Sequence, residues 1–391
     1  MGRLQILFDK IVAKIKNHNK KRDYKIWVFG EWFGERCCDN SFYLANHIAE
    51  FHPEIKVYWV TKKGVDTSAL YSGISILEMD SSESFEVFKK AGVAIMNQGF
   101  CDFSSKAYNL FSGGITINLW HGFPWKKIHY DSRKYTGIIA YFYHKILAFS
   151  ENAMLFLVSS SAMMKLYKTA FLVKDNNVIK AGYPRNQILY DGKSKIESHR
   201  KFEKMCQPLT PKTIIAYLPT FRDNKKDVFS FSSVIENQKL INLLENNNAV
   251  IIEKGHYACK NNKGKKLNSS GRILFLNEVN TAELLAAADI LITDYSSCFC
   301  DYTIKNKPII HFIYDYDYYA NCDRGLYYDQ KEICCGKTPK TTDELFMTIE
   351  NYLKDDNLDA DIRNVRKQMF WEYDSGDSCE RIFKEINSRL H

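Results

Sequence analysis

A histidine followed by two lysines forms the stretch of this sequence whose chemistry is easiest to recognise. The stretch spans Ile117–Ile128 and reads Ile-Asn-Leu-Trp-His-Gly-Phe-Pro-Trp-Lys-Lys-Ile. His121 is its only side chain that exchanges a proton near neutral pH, and Lys126 and Lys127 offer positive charge to a nearby anion. Open α/β sheets present reactive groups where an apolar strand ends in a turn. The pattern fits a proton-transferring histidine at an anion site, but also a histidine that only hydrogen-bonds its own loop.

Three loops in the second half of the chain each follow a predicted strand and carry groups that can hold phosphate. A guanidinium, an ammonium, an imidazole and the N–H groups at a helix start are all ligands for phosphate oxygens. A carboxylate one turn into that helix could accept hydrogen bonds from ribose or polyol hydroxyls. Serines at a helix start are usually only caps, so each loop alone remains open to that interpretation. The candidates are Pro219, Thr220, Arg222, Lys254, Gly255, His256, Asp294, Ser296, Ser297 and Asp301.

Several classes of protein are excluded by what the sequence lacks. The candidate loops contain no paired carboxylates for a divalent ion, and the chain has no P-loop, nucleophile elbow or kinase motif. We therefore expect neither a metal nor another cofactor. The eleven cysteines form no CxxC pattern with matching partners, which indicates free thiols in a reducing compartment.

Apolar runs alternate with helical patterns from about residue 24 onward, which predicts parallel, doubly wound sheets. A length of 391 residues favours two domains. A polar stretch over 193–211, broken by prolines, predicts the linker between an N-terminal domain at 23–192 and a C-terminal domain at 212–391. The expected fold is α/β and GT-B-like, with two Rossmann-like domains facing across a cleft and a final helix able to cross back over the first.

The first 22 residues form a basic arm. They contain seven Lys and Arg residues and one Asp, a net charge of +6, so the rest of the chain carries only +2 of the total +8. Apolar residues fall on one helical stripe of the arm, which favours a helix lying on an anionic membrane. A helix packed on its own domain is the alternative. Without a nucleic-acid-binding module, the charge does not indicate a nucleic-acid partner.

Neither a membrane-spanning helix nor a secretory signal is predicted. The chain has no run of 18 apolar residues, and its start lacks the pattern of a cleaved signal. The aromatic segment at 138–149 has two interpretations. It fits a second helix that faces the membrane or an acceptor molecule, and it fits a buried core helix equally well.

Six short motifs occur together in a fixed order. They are Phe33-Gly-Glu with Asp39-Asn40, Trp120-His-Gly-Phe-Pro-Trp-Lys-Lys127, Tyr217-Leu-Pro-Thr-Phe-Arg-Asp223, Thr293-Asp-Tyr-Ser-Ser297, Lys307-Pro-Ile-Ile310 and Arg324-Gly-Leu-Tyr-Tyr328. This set resembles the CDP-glycerol glycerophosphotransferase family of teichoic acid polymerases and primases. The resemblance implies a GT-B fold and a peripheral enzyme on the cytoplasmic face of the bacterial membrane. It also implies transfer of a polyol phosphate from a CDP-polyol to a lipid-linked acceptor, with release of CMP, in the synthesis of teichoic acid, capsule or a related polymer.

The resemblance also implies roles for individual residues. His121 matches the family's general base, and His256 matches its second catalytic histidine. The remaining donor-binding residues that it implies are Gly122, Phe123, Pro124, Trp125, Arg185, Pro219, Thr220, Lys254, Gly255, Ser296, Ser297 and Asp301, with Arg222 and Asp294 as further candidates.

The partners implied are CDP-glycerol or another CDP-polyol, a lipid-linked saccharide or polyol-phosphate acceptor, and an anionic membrane surface; a homo-oligomer is left open. Two other functions fit the same residues. One is a GT-B glycosyltransferase that uses a nucleotide sugar, since a fold does not fix a reaction. The other is a membrane-bound scaffold protein with a degenerate site.

Overall fold

The computed structural model describes most of the chain, as two units. Unit 1 contains the described residues within 1–121, 129–187 and 371–391, and unit 2 contains those within 122–128 and 188–370. The described residues are 21–104, 110–132, 154–220, 228–255, 266–267, 270–322 and 325–390.

The strands of the described residues form one sheet in each unit. In unit 1 they are β1 (Asp23–Phe29), β2 (Lys56–Thr61), β3 (Ser75–Glu78), β4 (Ala91–Met96), β5 (Ile115–Asn118), β6 (Met154–Val158) and β7 (Val178–Lys180). In unit 2 they are β8 (Thr213–Leu218), β9 (Ala249–Glu253), β10 (Lys266–Leu267), β11 (Ile273–Phe275), β12 (Ile290–Thr293) and β13 (Ile309–His311). The sheet orders are β3-β2-β1-β4-β5-β6-β7 and β10-β11-β9-β8-β12-β13, and every pair is parallel except β10 with β11. The prediction of doubly wound parallel sheets is confirmed.

Helices join many of the successive strands, as is usual for parallel pairing. They are α1 (Asn40–Phe51), α2 (Ser82–Lys90), α3 (Ser161–Ala170), α4 (Gln187–Tyr190), α5 (Gly192–Met205), α6 (Gln238–Asn246), α7 (Thr281–Ala287), α8 (Cys298–Tyr302), α9 (Tyr316–Cys322), α10 (Gln330–Ile333), α11 (Thr342–Lys354), α12 (Ala360–Phe370) and α13 (Ser378–Ser388). Asp39, Ser81 and Ser160 begin three of them by accepting hydrogen bonds from main-chain N–H groups. None of the helices in the described ranges has the length and hydropathy needed to cross a bilayer.

The central strands of both sheets are apolar and buried along their length. β4 and β6 in unit 1 and β9 and β12 in unit 2 have every residue buried. Strands covered by helices on both faces have this continuous apolar character, in contrast to the alternating pattern of a half-exposed strand.

Each sheet has one point at which the chain reverses its direction of winding. In unit 1 this point lies between β1 and β4, and in unit 2 it lies between β8 and β12. Open α/β folds bind their ligands outside the carboxyl ends of the strands at such a point. The loops that follow these four strands are therefore the places where each unit is expected to bind a ligand.

The boundary between the units differs from the predicted linker at 193–211. Residues 192–205 form α5, which Asp191 caps and which packs against α7 in unit 2. Only Ser198 and Phe202 of this helix are buried. Its other residues can therefore be polar, which gives the stretch the composition of a linker. A mostly exposed helix and a linker are both polar, and composition alone does not separate them.

The last helix belongs to unit 1, although the predicted C-terminal domain ran from 212 to 391. Ile382, Phe383 and Ile386 are buried on one face of α13, and the ring of Phe383 lies 5.6 Å from that of Trp27 in β1. The apolar face of α13 thus completes the core of the first unit.

Arg22, predicted as the end of the basic arm, is part of the fold of unit 1. It is only 8% exposed, and its guanidinium donates hydrogen bonds to the carbonyl oxygens of Phe88, Lys89, Ala91, Leu110 and Ser112. The side chain thereby satisfies carbonyls at the end of α2 and before β5. Lys21 is also among the described residues. Residues 1–20 of the arm and the aromatic segment at 138–149 lie outside them.

Candidate functional site

The turn that carries His121 is held in an unusual backbone conformation. β5 ends at Asn118, and Trp120 then adopts a φ of 58°, which is unfavourable for a residue with a side chain. Two hydrogen bonds fix this turn: Trp120 N donates to Asn118 Oδ1 at 2.8 Å, and Asn40 Nδ2 donates to Trp120 O at 2.9 Å. Strain held in this way is common at functional sites because it presets the direction of the next side chain.

The imidazole of His121 lies between aromatic neighbours. It is half-buried, and its ring centroid lies 4.2 Å from the stacked ring of Trp120 and 5.6 Å from that of Trp32. Trp32 Nε1 in turn donates to Asp39 Oδ2 at 2.9 Å. The two indoles restrict the plane of the imidazole, as a residue that moves a proton requires.

Arg185 forms a buried ion pair with Asp39. Its Nη1 lies 2.6 Å from Asp39 Oδ1, and the two side chains are 11% and 8% exposed. The same nitrogen donates to the carbonyl oxygen of His121 at 3.1 Å. The sequence predicted Arg185 as a ligand of the donor phosphates. In the structure its guanidinium braces the turn that carries His121, and its role as a phosphate ligand stays a prediction.

Glu31 lies next to Asp39 of this ion pair. The sequence analysis did not identify it. Its carboxylate is fully buried and accepts hydrogen bonds from the N–H groups of Cys38, Asp39 and Phe42, and from Asn97 Nδ2. Burial raises the pKa of Glu31 well above its usual range, and the nearby Asp39 raises it further, while the main-chain donors oppose both effects. Glu31 thus anchors the start of α1, where Asp39 must lie to meet Arg185. The sequence signal that could have identified Glu31 is an acidic residue at the end of an apolar strand.

The four residues after His121 belong to the interior of unit 2. Gly122, Phe123, Pro124 and Trp125 are all buried. The ring of Phe123 lies 4.8 Å from that of Phe370, and Trp125 Nε1 donates to the carbonyl oxygen of Tyr328 at 2.9 Å. The side chains of Phe123 and Trp125, which were predicted to bind the donor, are therefore core anchors.

Three candidate loops follow neighbouring strands of unit 2. Tyr217 in β8 pairs with Glu253 in β9, and Leu218 in β8 pairs with Thr293 in β12. Because these strands are parallel, their carboxyl ends lie at the same edge of the sheet. The structure thus brings together Pro219, Thr220, Lys254, Gly255, Asp294, Ser296, Ser297 and Asp301 at the switch point of unit 2.

Two of these predicted residues are carboxylates that lie beneath the surface. Asp294 and Asp301 are 1% and 3% exposed. Asp294 Oδ1 accepts hydrogen bonds from Thr220 N at 2.9 Å and from its neighbour Tyr295 N at 2.6 Å. Asp294 therefore shapes the Pro-Thr loop. Asp301 lies within α8, beneath the groups at the surface of this edge, and its contact with ligand hydroxyls stays a prediction.

The groups nearest the surface of this edge are small. Pro219, Gly255, Ser296 and Ser297 are half-buried, whereas Lys254 is 9% exposed. The helix that follows Ser297 has only five residues. Its macrodipole is correspondingly weak, so anion binding here depends on individual N–H groups, hydroxyls and the Lys254 ammonium more than on the dipole. His256 and Arg222 lie outside the described residues.

The geometry of Gly255 explains why a glycine stands there. Its N–H donates to Asn277 Oδ1 at 3.0 Å, and a Cβ on this residue would lie 3.0 Å from the same oxygen. A larger residue would push Asn277 aside, so glycine keeps the main chain close to its partner.

Glu253 is a second buried carboxyl that the sequence analysis missed. It ends β9 immediately before Lys254, is 7% exposed, and its Oε2 accepts a hydrogen bond from Phe231 N at 2.8 Å. Burial raises the pKa of Glu253 to about 7, although hydrogen bonds from Ser230 and Phe231 oppose the shift. The carboxyl next to Lys254 thus changes charge near neutral pH.

Two Rossmann-like units, each with polar residues at its switch point, define a GT-B-like α/β protein. The chain belongs to the CDP-glycerol:poly(glycerophosphate) glycerophosphotransferase family, whose profile matches residues 11–388. The family resemblance predicted from the six motifs is confirmed.

Individual relatives agree with this assignment. The chain is 29% identical to the teichoic acid poly(glycerol phosphate) polymerase of Bacillus spizizenii over 279 residues, which is 69% of each chain. It is 24% identical to the teichoic acid glycerol-phosphate transferase of Staphylococcus aureus over 387 residues, 96% of this chain and 95% of that one.

A solved structure of the wall teichoic acid polymerase TagF has the same fold. The two align with a TM-score of 0.80 over 98% of this chain and 94% of that chain, at 20% identity. At this identity the likeness establishes the fold, and the predicted GT-B-like architecture is confirmed.

Replacing Glu253 by glutamine should change how stability depends on pH. The folded-state pKa of about 7 exceeds the ordinary value of 4.5, so the unfolded chain ionises first as the pH rises between these values. The free energy of unfolding of the wild type should therefore fall by about 3 kcal/mol across this interval, and Glu253→Gln should avoid that loss. Urea unfolding at pH 5 and pH 8 measures the effect.

The exposed Glu245→Gln is the matched control, and it should follow the wild type at both pH values. Glu253→Gln should differ from the wild type by less than about 1 kcal/mol at pH 5 and should be more stable by roughly 3 kcal/mol at pH 8. Parallel stability curves for Glu253→Gln and the wild type would show that the carboxyl is not held neutral in the folded protein.

Proposed function

We propose that this protein transfers glycerol phosphate, or a related polyol phosphate, from a CDP-polyol to a hydroxyl group of a lipid-linked acceptor and releases CMP. Membership of the glycerophosphotransferase family supports the reaction, and relatives named as teichoic acid polymerases and transferases support its place in cell-wall synthesis. The observation that carries most weight is the meeting of three phosphate-compatible loops at the switch point of unit 2.

The proposed reaction is an in-line displacement at phosphorus. The acceptor hydroxyl oxygen attacks the phosphorus that bears the glycerol, and the bond from this phosphorus to the bridging oxygen breaks. The bonding electrons leave with that oxygen on CMP, and the proton of the hydroxyl passes to the imidazole of His121. A positioned general base of this kind typically contributes about 10²–10⁴-fold to the rate.

Charge on the pyrophosphate needs compensation in the transition state. In this proposal the Lys254 ammonium and the hydroxyls and main-chain N–H groups around Ser296 and Ser297 supply it. His256 joins them on the basis of its place in the motif. Arg185 positions the turn that carries His121 through its contacts with Asp39 and the carbonyl oxygen of His121.

A donor panel tests the reaction class. The full chain is incubated with CDP-glycerol, CDP-ribitol or nucleotide sugars, each with a lipid-linked acceptor, and nucleotide release is followed. We expect CMP from a CDP-polyol, with and without a chelator present. Release from a nucleotide sugar alone would support the glycosyltransferase alternative, and no release from any donor would support the scaffold alternative.

His121→Ala should remove transfer while leaving donor binding nearly intact. A base acts mainly in the transition state, so kcat should fall by about 10²–10⁴-fold with donor affinity changed only a few-fold. His256→Ala should instead weaken both donor affinity and rate. Calorimetric donor binding, CMP release and a melting curve for each variant measure these effects.

His199→Ala, on α5 and outside the motif loops, is the control and should behave as the wild type. A His121→Ala protein that melts normally and turns over at a near-normal rate would remove His121 from the mechanism. A large loss of thermal stability together with activity would show that the imidazole serves the fold.

We also propose that residues 1–20 bind the protein to an anionic membrane, where the lipid-linked acceptor would be found. Each basic residue near such a surface contributes about 1 kcal/mol, so binding should weaken as salt is added. Deleting residues 1–20 should abolish cosedimentation with anionic vesicles and leave the melting temperature unchanged. The deletion stops before Arg22, which is buried in unit 1. Unchanged cosedimentation would refute the membrane role.

A further inference from the structure

Two histidines and a glutamate meet in unit 1 at a place that the proposed reaction does not use. His47 lies on α1, His52 caps the carboxyl end of that helix, and Glu380 lies in the first turn of α13. Glu380 Oε2 is 3.4 Å from His47 Nε2 and 2.9 Å from His52 Nε2. One carboxylate oxygen therefore faces two imidazole nitrogens.

This set of atoms has the composition of a zinc site. Zinc in proteins is bound by imidazole nitrogen, thiolate sulfur and carboxylate oxygen, and two histidines with one glutamate are an established three-ligand set. The ligand atoms of His47, His52 and Glu380 all lie within 4.8 Å of one another. In the described part of the chain, this is the one such group of His, Cys, Asp or Glu side chains.

The spacing needs little change to accommodate an ion. With bonds of about 2.0–2.1 Å to a tetrahedral zinc ion, neighbouring ligand atoms lie roughly 3.3 Å apart. The His47–Glu380 separation of 3.4 Å already has this value, and the His52–Glu380 separation of 2.9 Å is slightly shorter. The ligand nitrogens of His47 and His52 lie within 4.8 Å of each other, and rotation of the two imidazoles completes the tetrahedral spacing. The three side chains are 15–33% exposed, so water can reach a fourth position.

Neighbouring groups hold two of the three side chains. The ring of His52 stacks on Phe383 at 3.5 Å, and its Nδ1 lies 3.8 Å from Glu54 Oε1, just beyond hydrogen-bond distance. A carboxylate hydrogen-bonded to the second ring nitrogen is the usual partner of a metal-binding histidine, and Glu54 is the nearby carboxylate that can take this place. Lys384 Nζ holds the other Glu380 oxygen, Oε1, at 3.2 Å.

We propose that His47, His52 and Glu380 bind one zinc ion, with water as the fourth ligand, and that the ion fastens the C-terminal helix α13 to α1. Asp39 caps the opposite end of α1, and a helix of 12 residues is about 18 Å long. The ion therefore lies toward the end of α1 away from Asp39 and the turn that carries His121. Its effect on this chain is to secure the return of α13 to α1.

Metal binding to the full chain, stripped of metal with a chelator and desalted, tests this site. We expect one Zn²⁺ per chain by calorimetry, and a rise in Tm of roughly 5 °C at about 100 times Kd. His47→Gln/His52→Gln should weaken binding at least about 100-fold and remove the rise in Tm, and Glu380→Gln should act in the same direction. His199→Gln should bind as the wild type.

The eleven cysteines could also bind zinc, so Co²⁺ serves as a second probe. Tetrahedral Co²⁺ with nitrogen and oxygen ligands absorbs in the visible range without the intense near-ultraviolet band of a cobalt–thiolate bond. We expect the former spectrum from the wild type. A thiolate band, an absence of stoichiometric binding, or undiminished binding by His47→Gln/His52→Gln would each overturn the proposal. The wild-type spectrum decides even if a variant does not fold.

Discussion

The buried ion pair between Asp39 and Arg185 is the contact on which the geometry around His121 depends. Asp39 caps α1 and accepts a hydrogen bond from the indole of Trp32, while Arg185 also holds the carbonyl oxygen of His121. Segments that follow β1, β5 and β7 therefore meet at one pair of charges. Removing one partner of such a buried pair usually costs about 3–5 kcal/mol because the other charge is left uncompensated. The turn that carries His121 is thus coupled to the segments that follow β1 and β7.

In unit 2, a buried carboxylate likewise holds the loops at the switch point in place. Asp294 is buried and accepts main-chain N–H groups from the loop after β8 and from its own loop, while Ser296 and Ser297 remain half-buried at the edge. Buried carboxylates support these loops, and small neutral groups lie nearer the surface. This distribution suits a donor whose pyrophosphate is negatively charged, since an accessible carboxylate would repel it.

The sequence was sufficient for the features that depend on the pattern of apolar residues along the chain. Alternating apolar runs predicted both parallel sheets, and the motifs placed Lys254 and Ser296 at the carboxyl edge that the structure shows. It was insufficient for contacts between distant residues. Asp39 and Arg185 are 146 positions apart, and no local pattern reveals that Arg185 meets a carboxylate. Likewise the burial of Trp125 arises from the fold of unit 2, because an aromatic residue after a turn can face a ligand or a core equally well.

The proposed activity is the addition of polyol phosphate to a lipid-linked acceptor. Mass spectrometry of a synthetic acceptor identifies the bond that has formed, so the full chain is incubated with this acceptor and either CDP-glycerol or a nucleotide sugar. We expect the acceptor incubated with CDP-glycerol to gain whole glycerol phosphate units, equal in number to the CMP molecules released. An unchanged acceptor despite CMP release would reveal hydrolysis, and elongation only in the incubation with the nucleotide sugar would reveal glycosyl transfer. Either result would refute the proposed activity.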